Sequence, residues 1–217
     1  MASWMVHFRI ADGLLDELGG NAEQFIVGNI GPDCGEPNED WSKFTPPSEV
    51  SHWNPNSSKG FIMSDEFFDT YIRDMKNDNR YHFYVGYYVH LLTDKLWHSM
   101  IYTPTKVMYQ EQLEQDSKFI WVIKEDWYDL DARYLRDHPD FRTFRIFDKI
   151  TAFPNVYLDY YSEGAIERQI KYISNFYNTY EGNLDREYPF LSEGQMDDFV
   201  ASAVEEVRKD LKTRGIL

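Results

Sequence analysis

Residues 81–101 constrain the fold most, because they are apolar on almost every side of the helix that their sequence predicts. The apolar positions are Phe83, Val85, Tyr87, Val89, Leu91, Leu92, Leu96 and Trp97. A helix that is apolar all round normally lies at the centre of a protein, covered by other elements. We therefore predict a central, buried helix that Pro104 should limit, since proline breaks a helix beyond its first turn.

The other periodic segments also predict helices. Apolar residues recur at three- and four-residue steps between Trp4 and Leu18, and the following Gly-Gly pair should end that helix. Further helices are expected over residues 64–76 with Ser64 as N-cap, 125–137, 141–152, 164–180, and from Ser192 onward. Residues 119–123 are the one convincing strand-like run. The sequence therefore predicts an all-α fold, a compact single-domain helical bundle over residues 1–217.

Composition and charge exclude several kinds of protein. The chain has 217 residues, of which 42% are hydrophobic and 17% aromatic, and this is too apolar for a disordered chain. A formal net charge of -15, without a cluster of Lys and Arg, argues against binding to long nucleic acid. The single cysteine excludes a disulfide within the chain and a cysteine-based zinc site. No signal peptide or transmembrane run is recognisable, so we expect a cytoplasmic protein.

His90 and Asp94 lie one helical turn apart in the predicted central helix, so both side chains project from one face. Imidazole and carboxylate at this spacing can bind one metal ion, and an aspartate in an apolar helix needs a compensating charge. The alternative is a buried Asp94 paired with Lys95 or another cation, beside a hydrogen-bonded histidine. The spacing alone is common, and both interpretations stay open.

Three further residues are candidate ligands, although each also has an ordinary explanation. His7 lies on the apolar face of the first helix, where a histidine is more often a hydrogen-bonded core residue. Asp33 follows a Gly-Pro pair at a turn, where aspartate commonly bonds its own backbone. His52 lies within residues 34–60, a long loop rich in Pro, Gly, Ser and Asn, and loops of that length are often functional.

Together these residues resemble the motifs of the zinc-dependent phospholipase C family, whose wider superfamily includes fungal single-strand nucleases. The matching elements, in chain order, are Trp4-x-x-His7, Gly28-Asn-Ile-Gly-Pro-Asp33, Ser51-His52-Trp53 and Gly86-Tyr-Tyr-Val-His90-Leu-Leu-Thr-Asp94-Lys-Leu-Trp97. All four lie within residues 1–100. The order of four separated elements makes the resemblance more specific than any one of them.

The resemblance implies a helical bundle around zinc. Carried over by motif, Asp33, His52, His90 and Asp94 would hold one zinc ion. His7 would help to hold a second, with Asp94 bridging the two, and Asp33 and Asp94 would be the catalytic residues. Other divalent ions such as manganese or iron also suit these ligands. Two adjacent cations suit phosphoester hydrolysis, because they polarise the phosphoryl oxygens and lower the pKa of a bound water.

Two features depart from the family. Its secreted members use a processed N-terminal tryptophan whose amino group and carbonyl complete the second site, whereas Trp4 is internal here. They also bind a third metal with the help of His-x-x-x-Glu, and no histidine of this chain has a glutamate four residues later. His98, one turn beyond Asp94, is left as a candidate for an altered site. The resemblance therefore implies a centre of one or two metal ions.

The expected function is a metal-dependent hydrolase that cleaves a small phosphoester or phosphodiester with metal-activated water. The alternative is a non-catalytic metal-binding protein of the same fold that acts through a partner or ligand surface. A histidine–aspartate phosphohydrolase is disfavoured, because no histidine is followed directly by aspartate. The sequence leaves open the substrate, the identity and number of the metal ions, and the oligomeric state.

Overall fold

A computed structural model describes residues 1–40, 42–55, 61–76 and 78–217. A 3-10 turn spans Gly31–Asp33, and a π-helical turn spans His98–Tyr102. Within the described ranges, strands are limited to the antiparallel pair β1 (Glu36–Pro37) and β2 (Phe44–Thr45). The predicted all-α fold is confirmed. The α-helices are α1 (Trp4–Leu18), α2 (Ala22–Gly28), α3 (Ser48–Ser51), α4 (Ser64–Tyr71), α5 (Tyr81–Trp97), α6 (Thr103–Met108), α7 (Gln110–Gln115), α8 (Phe119–Asp137), α9 (Arg142–Phe147), α10 (Ala165–Asn178) and α11 (Glu193–Thr213).

The central helix is α5, which is buried at 13 of its 17 residues. It packs against α1, α2, α4 and α11, which together cover it. The chain stays helical past the expected limit at Pro104, however, because the π-helical turn leads directly into α6 and Pro104 occupies the first turn of that helix. Proline is tolerated there, since the N–H that it lacks is not needed in a first turn. The expected limit at Pro104 is therefore wrong.

The strand expected over residues 119–123 is also wrong, since these residues form the first turns of α8. Ile123 and Trp127 are buried one turn apart, whereas Trp121 is exposed. The side chains are therefore sorted between core and solvent with a helical period. Strand preference of β-branched and aromatic residues depends strongly on context, and packing against the core outweighs it here.

Helix ends match the sequence prediction where a side chain provides a cap. Ser192 caps α11 through a capping box, in which its hydroxyl accepts the Gln195 N–H and the Gln195 side chain accepts the Ser192 N–H. Ser64, the expected cap of α4, is instead the first helical residue. Helix α4 ends at Tyr71 and α9 at Phe147, both earlier than expected.

Two glycines let α2 and α5 approach closely. A Cβ atom at Gly28 would lie 2.0 Å from the Phe83 carbonyl oxygen, and one at Gly86 would lie 2.1 Å from the Phe25 carbonyl oxygen. A larger residue at either position would force the two backbones apart, so glycine is required there. The contact places the C-terminal end of α2 against the turn of α5 that carries His90.

A buried carboxyl group ties the start of α1 to α8 and α10. Asp131, on α8, accepts hydrogen bonds from the Ser3 hydroxyl at 2.8 Å and the Tyr177 hydroxyl at 2.9 Å. The Tyr177 oxygen in turn accepts the Met5 backbone N–H at 2.9 Å. Burial raises the pKa of Asp131 to about 7, although the two hydrogen bonds act in the opposite direction. The first turn of α1 is thus held by a carboxyl group that resists ionisation.

We expect Asp131→Asn to become more stable, relative to the wild type, as the pH rises from about 4 to about 7. The pKa of Asp131 is about 7 in the fold, against an ordinary value of 3.8. Below that ordinary value both states of the chain are protonated, and folding carries no penalty. As the pH rises, the unfolded chain ionises first, so the penalty grows until the folded carboxyl also ionises. The full effect is roughly 4 kcal/mol.

Urea unfolding of both proteins at several pH values measures this difference. The low-pH end is the internal control, because it reports only the hydrogen bonds that asparagine changes. A stability difference that stays constant across the pH range would contradict the assigned pKa of Asp131.

Candidate metal centre

Five side chains from four elements converge inside the bundle. Helix α1 supplies His7, and α5 supplies His90 and Asp94 from successive turns. Asp33 ends the 3-10 turn after α2, and His52 directly follows α3. His7 and His90 are 0% exposed, Asp94 is 2% exposed and His52 4%. Residues that lie far apart in the chain are therefore close neighbours in a nearly dry environment.

Asp94 is the centre of this cluster, because it faces all three histidines. Its Oδ1 atom lies 3.6 Å from His7 Nε2. Its Oδ2 atom lies 3.5 Å from His90 Nε2 and 3.8 Å from His52 Nε2. His52 Nε2 is also 3.2 Å from Asp33 Oδ1, so the second carboxylate joins the cluster through His52.

Several of these buried polar atoms have no hydrogen-bond partner. They are both ring nitrogens of His7, Nε2 of His52 and of His90, and Oδ2 of Asp94. Buried polar atoms in proteins are almost always paired, so this many orphaned atoms facing one another requires an explanation. Three imidazoles and two carboxylates are the ligand types that zinc takes in proteins. The residues present therefore fit a zinc centre.

The ligand atoms fall into two overlapping groups of three. His7, His90 and Asp94 form one group, and Asp33, His52 and His90 form the other. Within each group, the potential ligand atoms all lie within 4.8 Å of one another. His90 belongs to both groups, and the two groups adjoin at α5. The two groups are therefore overlapping candidate ligand sets for a metal ion.

In His90 and His52, the ring nitrogen that does not face Asp94, which is Nδ1, makes a polar contact that orients the ring. His90 Nδ1–H donates to the Asn29 carbonyl oxygen at 2.8 Å, which is the contact that the close approach of α2 and α5 provides. His52 Nδ1 lies 3.0 Å from the Ser51 hydroxyl. A nitrogen that donates through its proton leaves the lone pair of the opposite nitrogen free for a metal. The ring of His7 stacks on that of His90, with centroids 3.8 Å apart.

Both carboxylates are held by N–H donors that the sequence analysis missed. The Trp4 indole N–H donates to Asp33 Oδ2 at 2.9 Å, and the Ala2 backbone N–H donates to Asp94 Oδ1 at 2.8 Å. Trp4 had a signal in its three-residue spacing from His7, but only as a family motif and not as a donor to Asp33. A backbone donor such as Ala2 leaves no signal in a sequence.

Electrostatics keep His7, Asp33 and Asp94 in forms that can bind a cation. Burial and the neighbouring His90 lower the pKa of His7 to about 4, so its imidazole is neutral at neutral pH. Burial disfavours the charged form of Asp94, but the N-terminal amino group, His7 and His90 hold its pKa well below the ordinary range. For Asp33, burial is likewise outweighed by His52 and His90, and its pKa is lowered. Neutral imidazole and ionised carboxylate are the metal-binding forms.

The pairing of Asp94 with Lys95, considered as an alternative, is not observed. Lys95 Nζ donates instead to the Ser64 hydroxyl at 3.0 Å. His90 is the imidazole best placed to carry a proton beside Asp94 in the metal-free cluster. Burial lowers the pKa of His90. Asp94 and Asp33 together raise this pKa by more than burial lowers it, so the net shift is upward. The buried carboxylate therefore depends on the N-terminal amino group, on the imidazoles or on an added cation.

The other three histidines of the chain, including the candidate His98, lie outside the cluster. His98 begins the π-helical turn, with its Nδ1 atom 3.4 Å from the Thr103 hydroxyl. His82 lies near the start of α5 against the backbone of Gly20. His138 is the C-cap residue of α8, and its Nδ1–H donates to the Tyr134 carbonyl at 2.8 Å.

A cavity of about 190 Å³ reaches the cluster. Its lining residues are Met1, Ser48, Glu49, His52, Asn54, Ile62 and Asp94.

Comparison with known proteins identifies the family. The family model described as zinc dependent phospholipase C matches residues 6–149. That range is more than half of the chain and contains all five clustered side chains. The chain therefore belongs to the zinc-dependent phospholipase C family, which confirms the resemblance carried by the sequence motifs. Searches of curated proteins and of solved structures each gave no match.

We expect zinc to raise the melting temperature of the metal-free protein, and His90→Ala to abolish that increase. A ligand at about 100 times its Kd adds about 2.7 kcal/mol to the stability of the folded state. For a chain of this size that is roughly 5–10 °C. Thermal unfolding with and without added zinc measures the increase.

His82→Ala is the matched control, because it removes an imidazole from the same helix but not from the cluster. The control should keep the full response to zinc. A response of His90→Ala equal to that of the wild type would contradict a role for His90 in metal binding.

Proposed function

We propose that this protein is a zinc-dependent hydrolase of a small phosphoester or phosphodiester. The observation that carries the proposal is the set of orphaned ligand atoms around Asp94, buried yet unpaired. Membership of the zinc-dependent phospholipase C family supports both the metal and the class of reaction. The cavity that reaches Asp94 and His52 gives a substrate access to the cluster.

In this proposal His7, Asp33, His52, His90 and Asp94 hold one or two zinc ions, and other divalent metals suit the same ligands. When bound, such an ion supplies Lewis-acid polarisation of the phosphoryl group and lowers the pKa of a coordinated water. Asp94 has one oxygen toward His7 and the other toward His90 and His52, so it is suited to bridge two ions.

Asp33 and Asp94 are the proposed catalytic residues, and each is held so that it can act in a fixed orientation. The Trp4 indole fixes one oxygen of Asp33, and the Ala2 amide fixes one oxygen of Asp94. The other oxygen of Asp33 faces His52, and the other oxygen of Asp94 faces His90 and His52, while the oxygen of Asp94 that Ala2 bonds also faces His7. Preorganised charge of this kind lowers a reaction barrier without reorganisation during the reaction.

The cavity limits the substrate to one that presents a small group to the cluster. Its volume of about 190 Å³ suits a phosphate with a short substituent, and no Lys or Arg is among the described residues that line it. Together with the net charge of -15, this lining disfavours a long polyanion such as nucleic acid. Among the described residues, no helix combines the length and apolar character needed to cross a membrane. A cytoplasmic location stays a prediction.

We expect Asp94→Asn to lower phosphoester hydrolysis by more than about 100-fold, because losses of 10–100-fold already follow from removing a partner of a metal ligand. The measurement is turnover of chromogenic phosphodiester and phosphomonoester substrates by the zinc-loaded protein. Asp148→Asn is the control: it removes an exposed carboxylate that bonds Asn178 and does not belong to the cluster, and it should keep full activity.

The same assay separates the hydrolase from a non-catalytic metal-binding protein. A wild-type protein that retains stoichiometric zinc but hydrolyses none of a broad panel of phosphoesters would favour the non-catalytic alternative. Hydrolysis that survives unchanged in Asp94→Asn would contradict the assigned site.

A further inference from the structure

Residues 155–163 form a closed loop held together by one side chain. Asn155 Nδ2 donates to the carbonyl oxygens of Leu158 at 2.7 Å and Tyr161 at 2.9 Å. Its Oδ1 atom accepts the backbone N–H groups of Tyr157 and Leu158. The Asn155 backbone N–H donates to the Glu163 carbonyl oxygen at 2.9 Å, which closes the loop. We call residues 155–163 the tyrosine loop.

The tyrosine loop docks on the central helix. The ring of Tyr157 stacks on Phe83 of α5, with centroids 4.0 Å apart. The hydroxyl of Tyr84, also on α5, donates to the Tyr157 carbonyl oxygen at 2.9 Å. These contacts fix the loop to the element that carries His90 and Asp94.

Tyr161 reaches from this loop to the turn that carries Asp33. Its hydroxyl donates to the carbonyl oxygens of Gly31 at 2.8 Å and Pro32 at 3.1 Å. These two residues directly precede Asp33 in the 3-10 turn. The side chain of Tyr161 is buried, so water does not compete for these bonds.

Tyr160 reaches the segment that carries His52 through a second tyrosine. Its hydroxyl donates to the Tyr87 hydroxyl at 2.9 Å, and the Tyr87 hydroxyl donates to the Ser51 carbonyl oxygen. Ser51 directly precedes His52. A hydroxyl that accepts one hydrogen bond donates more strongly in the next, so the two bonds support each other.

We propose that the tyrosine loop is a positioning element for the metal centre, with Tyr161 fixing Asp33 and Tyr160 fixing His52. His7, His90 and Asp94 are on long helices, which are rigid on their own. Asp33 and His52 lie at the ends of elements of three and four residues, which are too short to hold a ligand without support. The loop lies outside residues 6–149, the part of the chain that matches the family. This inference rests on the proposed role of Asp33 and His52 as metal ligands.

The test compares cobalt(II) binding by the wild type, Tyr161→Phe and Tyr160→Phe. Each substitution removes one hydroxyl and keeps the ring. Tyr88→Phe is the matched control: Tyr88, on α5, is buried like Tyr161, but its hydroxyl donates to Asp210 of α11 at 2.7 Å and not to a segment that carries Asp33 or His52. Affinity is measured by competition with a chelator, ligand geometry by the visible absorption spectrum of bound cobalt, and fold stability by urea unfolding of the metal-free proteins.

We expect Tyr161→Phe to bind cobalt about tenfold more weakly and with an altered visible spectrum, because it loosens a partner of a metal-bearing turn. Tyr160→Phe should show the same spectral change to a smaller degree. Tyr88→Phe should lose comparable stability yet keep the wild-type affinity and spectrum. If Tyr161→Phe does not fold, Tyr160→Phe, which is less buried, decides the outcome.

Wild-type affinity and spectrum in both loop variants would overturn the inference and leave the proposed function intact. An equal loss of affinity in Tyr88→Phe would also overturn it, because the effect would then follow from stability alone. Absence of cobalt and zinc binding by the wild type would overturn the proposed function and, with it, the role of the loop. Metal binding without turnover would remove only the catalytic part of the proposed function.

Discussion

Asp94 carries a carboxylate that is 2% exposed and lies within 3.8 Å of three imidazoles. Removing an ionised carboxylate from water costs several kcal/mol unless its charge is compensated. The N-terminal amino group favours its charged form, whereas imidazoles compensate it only by taking up protons, which burial and the neighbouring His90 oppose at His7. A cation among these side chains would satisfy the carboxylate and the unpaired imidazole nitrogens at once. The surrounding structure therefore has to hold an ionised carboxylate inside the bundle and to compensate its charge.

The fold meets this constraint by building the site from the centre outward. Helix α5 gives Asp94 and His90 a rigid, buried frame, and two glycines bring α2 close enough for Asn29 to orient the His90 ring. The first turn of α1 adds His7 and the Trp4 donor to Asp33, and the segment before α1 adds the Ala2 donor to Asp94. Asp33 and His52 lie on short turns, and the tyrosine loop bonds the residues that precede them, directly for Asp33 and through the Tyr87 hydroxyl for His52. The long helices thus hold their ligands by themselves, whereas the short turns depend on additional contacts.

Much of the helical frame was predictable from the sequence, because burial there follows simple periodicity. The bounds of α1 follow from its apolar spacing and the glycines after Leu18, and the start of α11 follows from the Ser192 capping box. The start of α8 was not predictable in this way. Residues 119–123 favour a strand locally, and only their packing against the core reveals a helix.

The candidate site was predictable to the extent that family motifs carry it. In isolation, His7, Asp33 and His52 each have an ordinary explanation. Their order along the chain matches the order of the family motifs, and this match identifies them as parts of one site. The supporting contacts had no comparable signal. The Ala2 donor is a backbone group. Tyr160 and Tyr161 follow the matched region, and they act on carbonyl oxygens that every residue has, Tyr161 directly and Tyr160 through the Tyr87 hydroxyl. Interactions with backbone atoms leave no residue pattern to recognise.

The central claim is that the cluster around Asp94 is a zinc centre, and anomalous diffraction at the zinc edge tests it most directly. The measurement uses crystals of the protein purified without chelator or grown with zinc. The account predicts one or two anomalous peaks among His7, Asp33, His52, His90 and Asp94, at about 2.0–2.2 Å from their nitrogen and oxygen atoms. Zinc bound only elsewhere, with these five side chains bonded to one another or to water, would contradict it.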